Sequence, residues 1–332
     1  MHGDEPFTRV AVTIVLYRRV PASLASALEG LAAQMLPVEL VLVHGNALEP
    51  GEDERARTLL AGSRVAHRLT LSTENLGFSG GHNRLLRAAF ADGLDAVVVH
   101  NPDVVLSPAA IAALAAQDRA GDVALLGPVL ELADQATLAP LGLVDTRGIE
   151  WTRSARHLDR DQGRPWSEPE AGVARVAGIS GAVLYVSRAA HDRVVAVGGE
   201  FFEERFIAYR EDAELGFRAG LLGIPSLVVG AATGRHARGL RGTVRGGDAH
   251  IDRLGVRNRF LLAFKYGRHR PGGLLGPLAR DVLVLLGVLL RERSSLSGVT
   301  DAWALRGVMR DRGRAVLAAA TCTSSEAALL GR

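Results

Sequence analysis

The stretch DAVVVHNPDVVLSPAAIAAL, residues 95–114, decides the fold. Val97–Val99 show no polar alternation and read as a strand buried on both faces, as in the middle of a parallel sheet. Pro102 has no N–H to give to a ladder, so the strand stops there. A helix follows over SPAAIAALAAQ, with Ser107 as N-cap and Pro108 at the first helical position. Asp103 is left just past the carboxyl end of a buried strand, the edge at which open α/β sheets bind ligands. Asn, Pro and Asp also form ordinary turns, so Asp103 taken alone reads equally well as a turn residue.

Working outward, the same rhythm repeats. RVAVTIVLYRR (residues 9–19) reads as a first strand, PASLASALEGLAAQM as a helix, PVELVLVHGN as a second buried strand, EDERARTLLAG as a helix and RVAHRLTLS as a third strand. Then comes a Gly-rich turn leading into a helix, TENLGFSGGHNRLLRAAFADG, before the valine strand; VALLGPVL is a fifth strand. Strands alternating with helices predict a βαβ sheet covered on both faces. Right-handed crossovers bring the carboxyl ends of its strands to one edge. Those ends carry Tyr17, then His44, Gly45 and Asn46, then Glu74 and Asn75, then Asn101 and Asp103, which together describe a polar pocket. Residues 139–171 lose the rhythm and are expected as loops or a small hairpin.

Composition bounds the class. At 332 residues, 48% hydrophobic and 23% charged, the chain is an ordinary globular protein of one large domain or two smaller ones. Its one cysteine, Cys322, excludes a disulfide framework and suits a reducing, cytoplasmic setting. MHGDEPFTR is not a secretory signal, and the first apolar run is too short to span a bilayer. Lys265 is the single lysine among the basic residues. The net charge of +3 hides an asymmetry: residues 238–332 hold 17 Arg and Lys against 7 Asp and Glu, the remainder 22 against 29. A basic tail on an acidic body points to an anionic partner.

Three further segments could carry chemistry. In ENLGFSGGHNR, Gly77, Gly80 and Gly81 would let backbone approach a ligand, and a helix start offers N–H groups to phosphate. The spacing is not G-x-G-x-x-G, so the dinucleotide fingerprint fails. In FIAYREDAELGFRAGLLG, Glu211, Asp212 and Glu214 open a helix, where acids complement the macrodipole and where one could also act as general base. In GRHARG, His236 follows an apolar strand. Returned by the fold to Asp103, it would make a site for Mn²⁺ or Mg²⁺ with a diphosphate supplying the remaining oxygens.

The ordered set VAVTIVLYRR, ENLGFSGGHNRLLRAA, VVVHNPDVVLSPAAIAAL, GISGAVLYVSRAA, VGGEFFEERFIAYREDAELGFRAG and GRHARG resembles the family 2 inverting glycosyltransferases, especially their rhamnosyltransferase-like branch, over about residues 9–240. The resemblance implies an A-type glycosyltransferase (GT-A) fold with a Rossmann-like central sheet, a nucleotide-sugar donor and a divalent metal. It implies Asp103 and His236 as metal ligands, Asp212 as catalytic base and Glu211 as its neighbour. Tyr17, His44, Asn46, Asn75, Gly77, Gly80, Gly81, Asn83 and Asn101 would bind the donor; Ser180, Gly181 and Arg210 would bind a glycan or lipid-linked acceptor.

Two departures fall in the nucleobase pocket. Leu16, Tyr17 and Arg18 stand where the family has Thr-Tyr-Asn, and Val43, His44, Gly45 and Asn46 stand where it has Val-Asp-Asn. Asn46 or His44 is therefore expected to supply the hydrogen bonds to the base. A nucleotidyltransferase would need glycine in a basic loop after the first strand, and LYRRVPASL has none. A donor-blind scaffold remains the non-enzymatic alternative.

The expected organisation is a catalytic domain over residues 1–240 and a basic, helical extension over 241–332. Val282–Leu290 is too short to span a bilayer. A helix lying on the inner face of the cell membrane, within residues 256–293 and with Arg280, Arg291 and Arg293 near anionic headgroups, is expected. Packing against the catalytic domain or in a homodimer is the alternative. Nucleic acid is not an expected partner, because no aromatic platforms interleave the arginines.

Overall fold

The computed structural model describes residues 8–238, 249–291 and 293–330. Its elements run β1 (Val10–Tyr17), α1 (Leu24–Ala32), β2 (Val38–Asn46), α2 (Glu52–Ala61), β3 (His67–Ser72), α3 (Gly77–Ala91), β4 (Ala96–His100), β5 (Val104–Leu106), α4 (Ala110–Ala120) and β6 (Leu125–Ala133). There follow β7 (Pro140–Thr146), β8 (Ile149–Trp151), β9 (His157–Asp159), β10 (Val173–Val176), β11 (Val183–Ser187), α5 (Arg188–Gly198), α6 (Glu211–Leu221) and β12 (Ser226–His236). The chain ends in α7 (Ala249–Tyr266), α8 (Leu275–Arg291), α9 (Leu296–Ala304), α10 (Arg306–Ala318) and α11 (Ser324–Ala327).

Ten strands form one mixed sheet in the order β10-β12-β6-β11-β4-β1-β2-β3, with β5 on β12 and β7 on β6. β3, β2, β1 and β4 are parallel neighbours, so their carboxyl ends share an edge as the sequence pattern requires. Alternation within β1 sends Val10, Val12, Ile14 and Leu16 to one face, against α1, α2 and α4, and Ala11 to the other, against α3 and α5. Burial on both faces explains the unbroken apolar runs.

Residues 139–171 contain the small hairpin expected there and, beyond it, one further strand of the main sheet. β7 joins the main sheet beside β6, and β8 pairs with β9 in a separate hairpin. The expected domain boundary near residue 240 lies outside the described residues. Beyond it, α7, α9 and α10 build no core of their own. Phe260, Leu261, Leu262, Tyr266, Ala302, Met309 and Val316 complete a third core with Phe206, Ala213, Phe217 and Leu221 around α6.

Candidate active site

Strand register brings the two expected metal ligands together. β5 runs antiparallel to β12 with Val104 opposite His236, and the Ala237 N–H donates to the Asp103 carbonyl (2.9 Å). His236 Nε2 consequently lies 3.3 Å from Asp103 Oδ1. On its other side, His236 Nδ1 is 2.8 Å from Asp145 Oδ2, on β7 and fully buried. Arg238 Nε is 3.0 Å from the second Asp145 oxygen, and the same guanidinium pairs with Asp159 on β9. Asp103, His236, Asp145, Arg238 and Asp159 thus form one unbroken chain of charge.

Burial alone would lower the pKa of His236, but hydrogen bonds and charge from Asp103 and Asp145 outweigh it and raise the imidazole to about 9. Burial pushes Asp103 up, and His236 more than reverses that, leaving its carboxyl below the usual range. The Asp103 Oδ1 atom is buried without a well-formed hydrogen bond. A carboxylate oxygen loosely paired to an imidazole whose far nitrogen is held by another carboxylate is a donor set suited to Mn²⁺ or Mg²⁺. Among the described residues no group of three or more His, Cys, Asp or Glu side chains could hold a metal alone. Any metal there would need oxygens from its ligand.

The chain of charge reaches the acid of α6. Asp212 feels both Asp159 and Arg238 electrostatically. Its Oδ2 accepts from the Gly181 N–H (3.0 Å) and its Oδ1 from the Ala213 N–H (2.7 Å). Burial is the largest influence and raises its pKa, with Asp159 adding to it and the two N–H groups and Arg238 opposing. A carboxyl whose pKa is raised by burial while two N–H groups fix its orientation is a candidate general base. Arg210, in a left-handed conformation before α6, reaches His157 Nδ1 (3.2 Å), and Glu211 is buried beside it. Ser180 is buried and accepts the Ala182 N–H (3.3 Å).

The expected donor residues divide. Tyr17 is 45% exposed at the end of β1, with the Arg18 guanidinium 5.7 Å from its ring centre; Asn75 is exposed and Asn101 half-buried. His44 and Asn46 are turned into the protein. Both are fully buried, with His44 Nδ1 on Thr70 Oγ1 (2.9 Å). The Asn46 amide is taken up by the turn before α3, donating to the Gly77 carbonyl (2.9 Å) and accepting from the Leu76 N–H (3.2 Å).

Asn83 is likewise committed inward: its amide exchanges hydrogen bonds with the Phe202 backbone and reaches Glu204. Gly77, Gly80 and Gly81 lie within α3 rather than before it, and protein covers all three. Gly77 has φ +69°, and a Cβ there would come 2.4 Å from the Ile207 carbonyl oxygen. The N–H groups expected to face phosphate are also engaged, Gly77 with Asn75 Oδ1 and Ser79 with the Ile207 carbonyl. Close packing requires glycine at Gly77 and covers Gly80 and Gly81.

Asp145 and Asp159 escaped the sequence reading. The one available signal was the density of Asp and Arg in residues 139–171, which composition assigns to solvent.

No family model matches the sequence, and a search of curated proteins finds no match. Solved structures are similar in fold. GalNAc-T7 with UDP, GalNAc and Mn²⁺ superposes with a TM-score of 0.60 at 13% identity, over 79% of this chain and 49% of that one, so this chain spans about half its length. The mannosyltransferase PcManGT from Pyrobaculum calidifontis, with GDP-Man and Mn²⁺, gives 0.52 at 14% identity over 94% and 85%. S. aureus TarS 1–349 with UDP-GlcNAc gives 0.52 at 12% over 94% and 89%. The fold is the A-type glycosyltransferase fold.

Proposed function

We propose that this chain is a metal-assisted inverting glycosyltransferase of the family 2 type, moving a sugar from a nucleoside-diphosphate sugar to a hydroxyl of a glycan or lipid-linked acceptor. One observation carries the reading: the chain of charge from Asp103 through His236, Asp145, Arg238 and Asp159 to the surroundings of Asp212. The ligands of the fold neighbours, nucleotide sugars or nucleotides and in two cases Mn²⁺, support the same chemistry.

In this mechanism Asp103 and His236 would hold a divalent ion, which when bound offsets charge on the donor diphosphate. Asp145 holds His236 Nδ1 (2.8 Å), so that Nε2, once its proton is displaced, would be the nitrogen for the ion. Tyr17 and Arg18, at the open end of β1, offer the base a stacking and polar surface in place of His44 and Asn46. Asn75 and Asn101 border the donor, while Asn46, Asn83 and the three glycines fix the turn and helix beneath it. The Gly181 and Ala213 N–H groups orient the Asp212 carboxylate, and Ser180, Glu211 and Arg210 shape the acceptor side.

Asp212 takes the proton of the acceptor hydroxyl, and the oxygen forms its bond to the anomeric carbon. The bond from that carbon to the diphosphate oxygen breaks on the opposite face, and the centre inverts. A positioned base contributes roughly 10²–10⁴-fold. A rhamnosyl donor is the sugar the sequence resemblance favours. A donor-blind scaffold would have no use for a buried Asp103 oxygen without a well-formed hydrogen bond, or for an acid of raised pKa at the far end of the same chain of charge, features that cost stability.

Thermal shifts with UDP, dTDP, GDP and ADP, each with and without Mn²⁺ or Mg²⁺, test the reading, because a ligand of the native state raises its melting point. A metal-dependent rise with one nucleotide, lost in Asp103→Ala, is expected. No rise with any of the four would favour the scaffold.

A further inference from the structure

α8 is turned inside out. Its one acid, Asp281, points into the protein, where it pairs with Arg259 (2.7 Å) and Arg270 (2.6 Å), all three buried. Val288 and Pro277 share that inward side. At 100° per residue the opposite side carries Leu275, Leu278, Val282, Leu283, Leu286, Leu289 and Leu290, every one exposed, Leu275 by 79% and Leu283 by 61%. The ion pairs set the rotation of the helix, so the apolar face is held outward. A 17-residue helix is about 25 Å long, and an unbroken aliphatic strip of that length is more than a monomer in water ordinarily exposes.

We propose that α8 docks on a lipid bilayer bearing anionic headgroups, lying in the interface. No helix among the described residues is long and apolar enough to cross a membrane. The strip itself is wholly aliphatic, with no aromatic side chain among its exposed residues to anchor a protein partner, so it suits acyl chains better than a second copy. Charge agrees. Arg280 flanks the strip, and exposed Arg268 and Arg153 stand at the amino-terminal end of α8, where the Arg153 carbonyl packs on Gly272 and Gly276. The span of residues 256–293 expected from the sequence narrows accordingly: α7 is core, and only α8 faces outward. The side chains of Arg291 and Arg293 lie outside the described residues.

The docking face also has a fixed relation to the candidate active site. α8 packs on the turn between β8 and β9, and β9 carries His157 and Asp159, the partners of Arg210 and Arg238. Ser154 to Asp159 is five residues, on the order of 17 Å along an extended chain. Bilayer docking rests on α8 alone; that it holds a sugar-transfer site near the membrane rests on the function proposed above.

Sedimentation of the full chain with phosphatidylcholine vesicles, with and without added phosphatidylglycerol, tests the proposal beside a Leu283→Glu, Leu286→Glu variant. Light scattering gives the mass of both proteins. The wild type is expected to sediment with the anionic vesicles, less so in high salt, and the variant to bind roughly tenfold or more weakly at unchanged mass and melting point. A second variant, Leu275→Ser with Leu290→Ser at the helix ends, is to give the same loss should the first melt early. Wild type left in the supernatant, or variants that bind as well as wild type, would overturn the proposal. A wild-type dimer that the variants split would overturn it in favour of a second copy. Nucleotide thermal shifts need no vesicles, so failure of docking and failure of the glycosyltransfer reading are separately visible.

Discussion

Asp212 and Glu214 lie two residues apart on α6 and face opposite sides of it, and each belongs to a different kind of buried charge. Glu214 belongs to a closed cluster. Lys265 Nζ sits 2.8 Å from both Glu214 and Glu203, Arg218 and the Tyr266 hydroxyl complete the Glu214 shell, and Arg205 and Arg312 reach Glu203. Burial raises the Glu214 pKa, and Arg218 and Lys265 more than cancel it, so the acid stays ionised. Asp212 ends an open chain in which burial wins and Asp103 Oδ1 meets His236 at 3.3 Å without a well-formed hydrogen bond. Satisfied charge ties α6 to α7 and α10; unsatisfied charge is left for a ligand.

Substitutions should therefore separate function from stability. The largest effect is expected from Asp212→Asn: a loss of about 10²–10⁴-fold in kcat for sugar transfer, with nucleotide binding and melting point retained, read by a coupled assay for released nucleotide and by thermal shift. Lys265→Met should do the reverse. Leaving Glu203 and Glu214 less compensated is expected to cost about 3–5 kcal/mol in urea unfolding while nucleotide binding survives in the folded fraction. Equal loss of activity and stability in both variants would erase the distinction.

Smaller effects sharpen it. Asp145→Asn leaves both proposed metal ligands in place but no longer holds the His236 ring, and should weaken Mn²⁺ binding roughly 10–100-fold, measured by electron paramagnetic resonance of free Mn²⁺ with nucleotide present. A pH dependence of stability tests the region of the closed cluster. Burial first, then the Glu203 charge, raises Glu200 from 4.5 to about 7. Between those values the native chain keeps a proton that the unfolded chain has lost, so this contribution is full below pH 4.5 and disappears as pH rises through 7. Relative to Glu200→Gln, the wild type should lose unfolding free energy across that window, followed by urea melts at several pH values.

The sheet was legible because burial on both faces writes uninterrupted apolar runs into β1, β2 and β4, and because Pro102 marks where one of them stops. Asp103, Asp212 and His236 were legible as strand-end and helix-start residues. Asp145 and Asp159 were not: Pro140 and Gly142 break up the apolar pattern of β7, β9 is three residues long, and 91 positions separate Asp145 from His236. Nor does a sequence say which way a strand-end side chain turns. His44, Asn46 and Asn83 occupy the expected positions but point into the protein. The amphipathic pattern of α8 was visible too, yet only the pairing of Asp281 with Arg259 and Arg270 shows that its apolar face is the outer one.

Lys265 has one more consequence. It is the only lysine in the 332 residues and is 4% exposed, so no lysine amine is offered to solvent while α7 stays docked on α6. Acylating reagents and amine cross-linkers would find no lysine to attack on the folded surface. Modification of Lys265, followed by mass spectrometry, would then count the moments when α7 lifts away, making this residue a built-in clock for local opening.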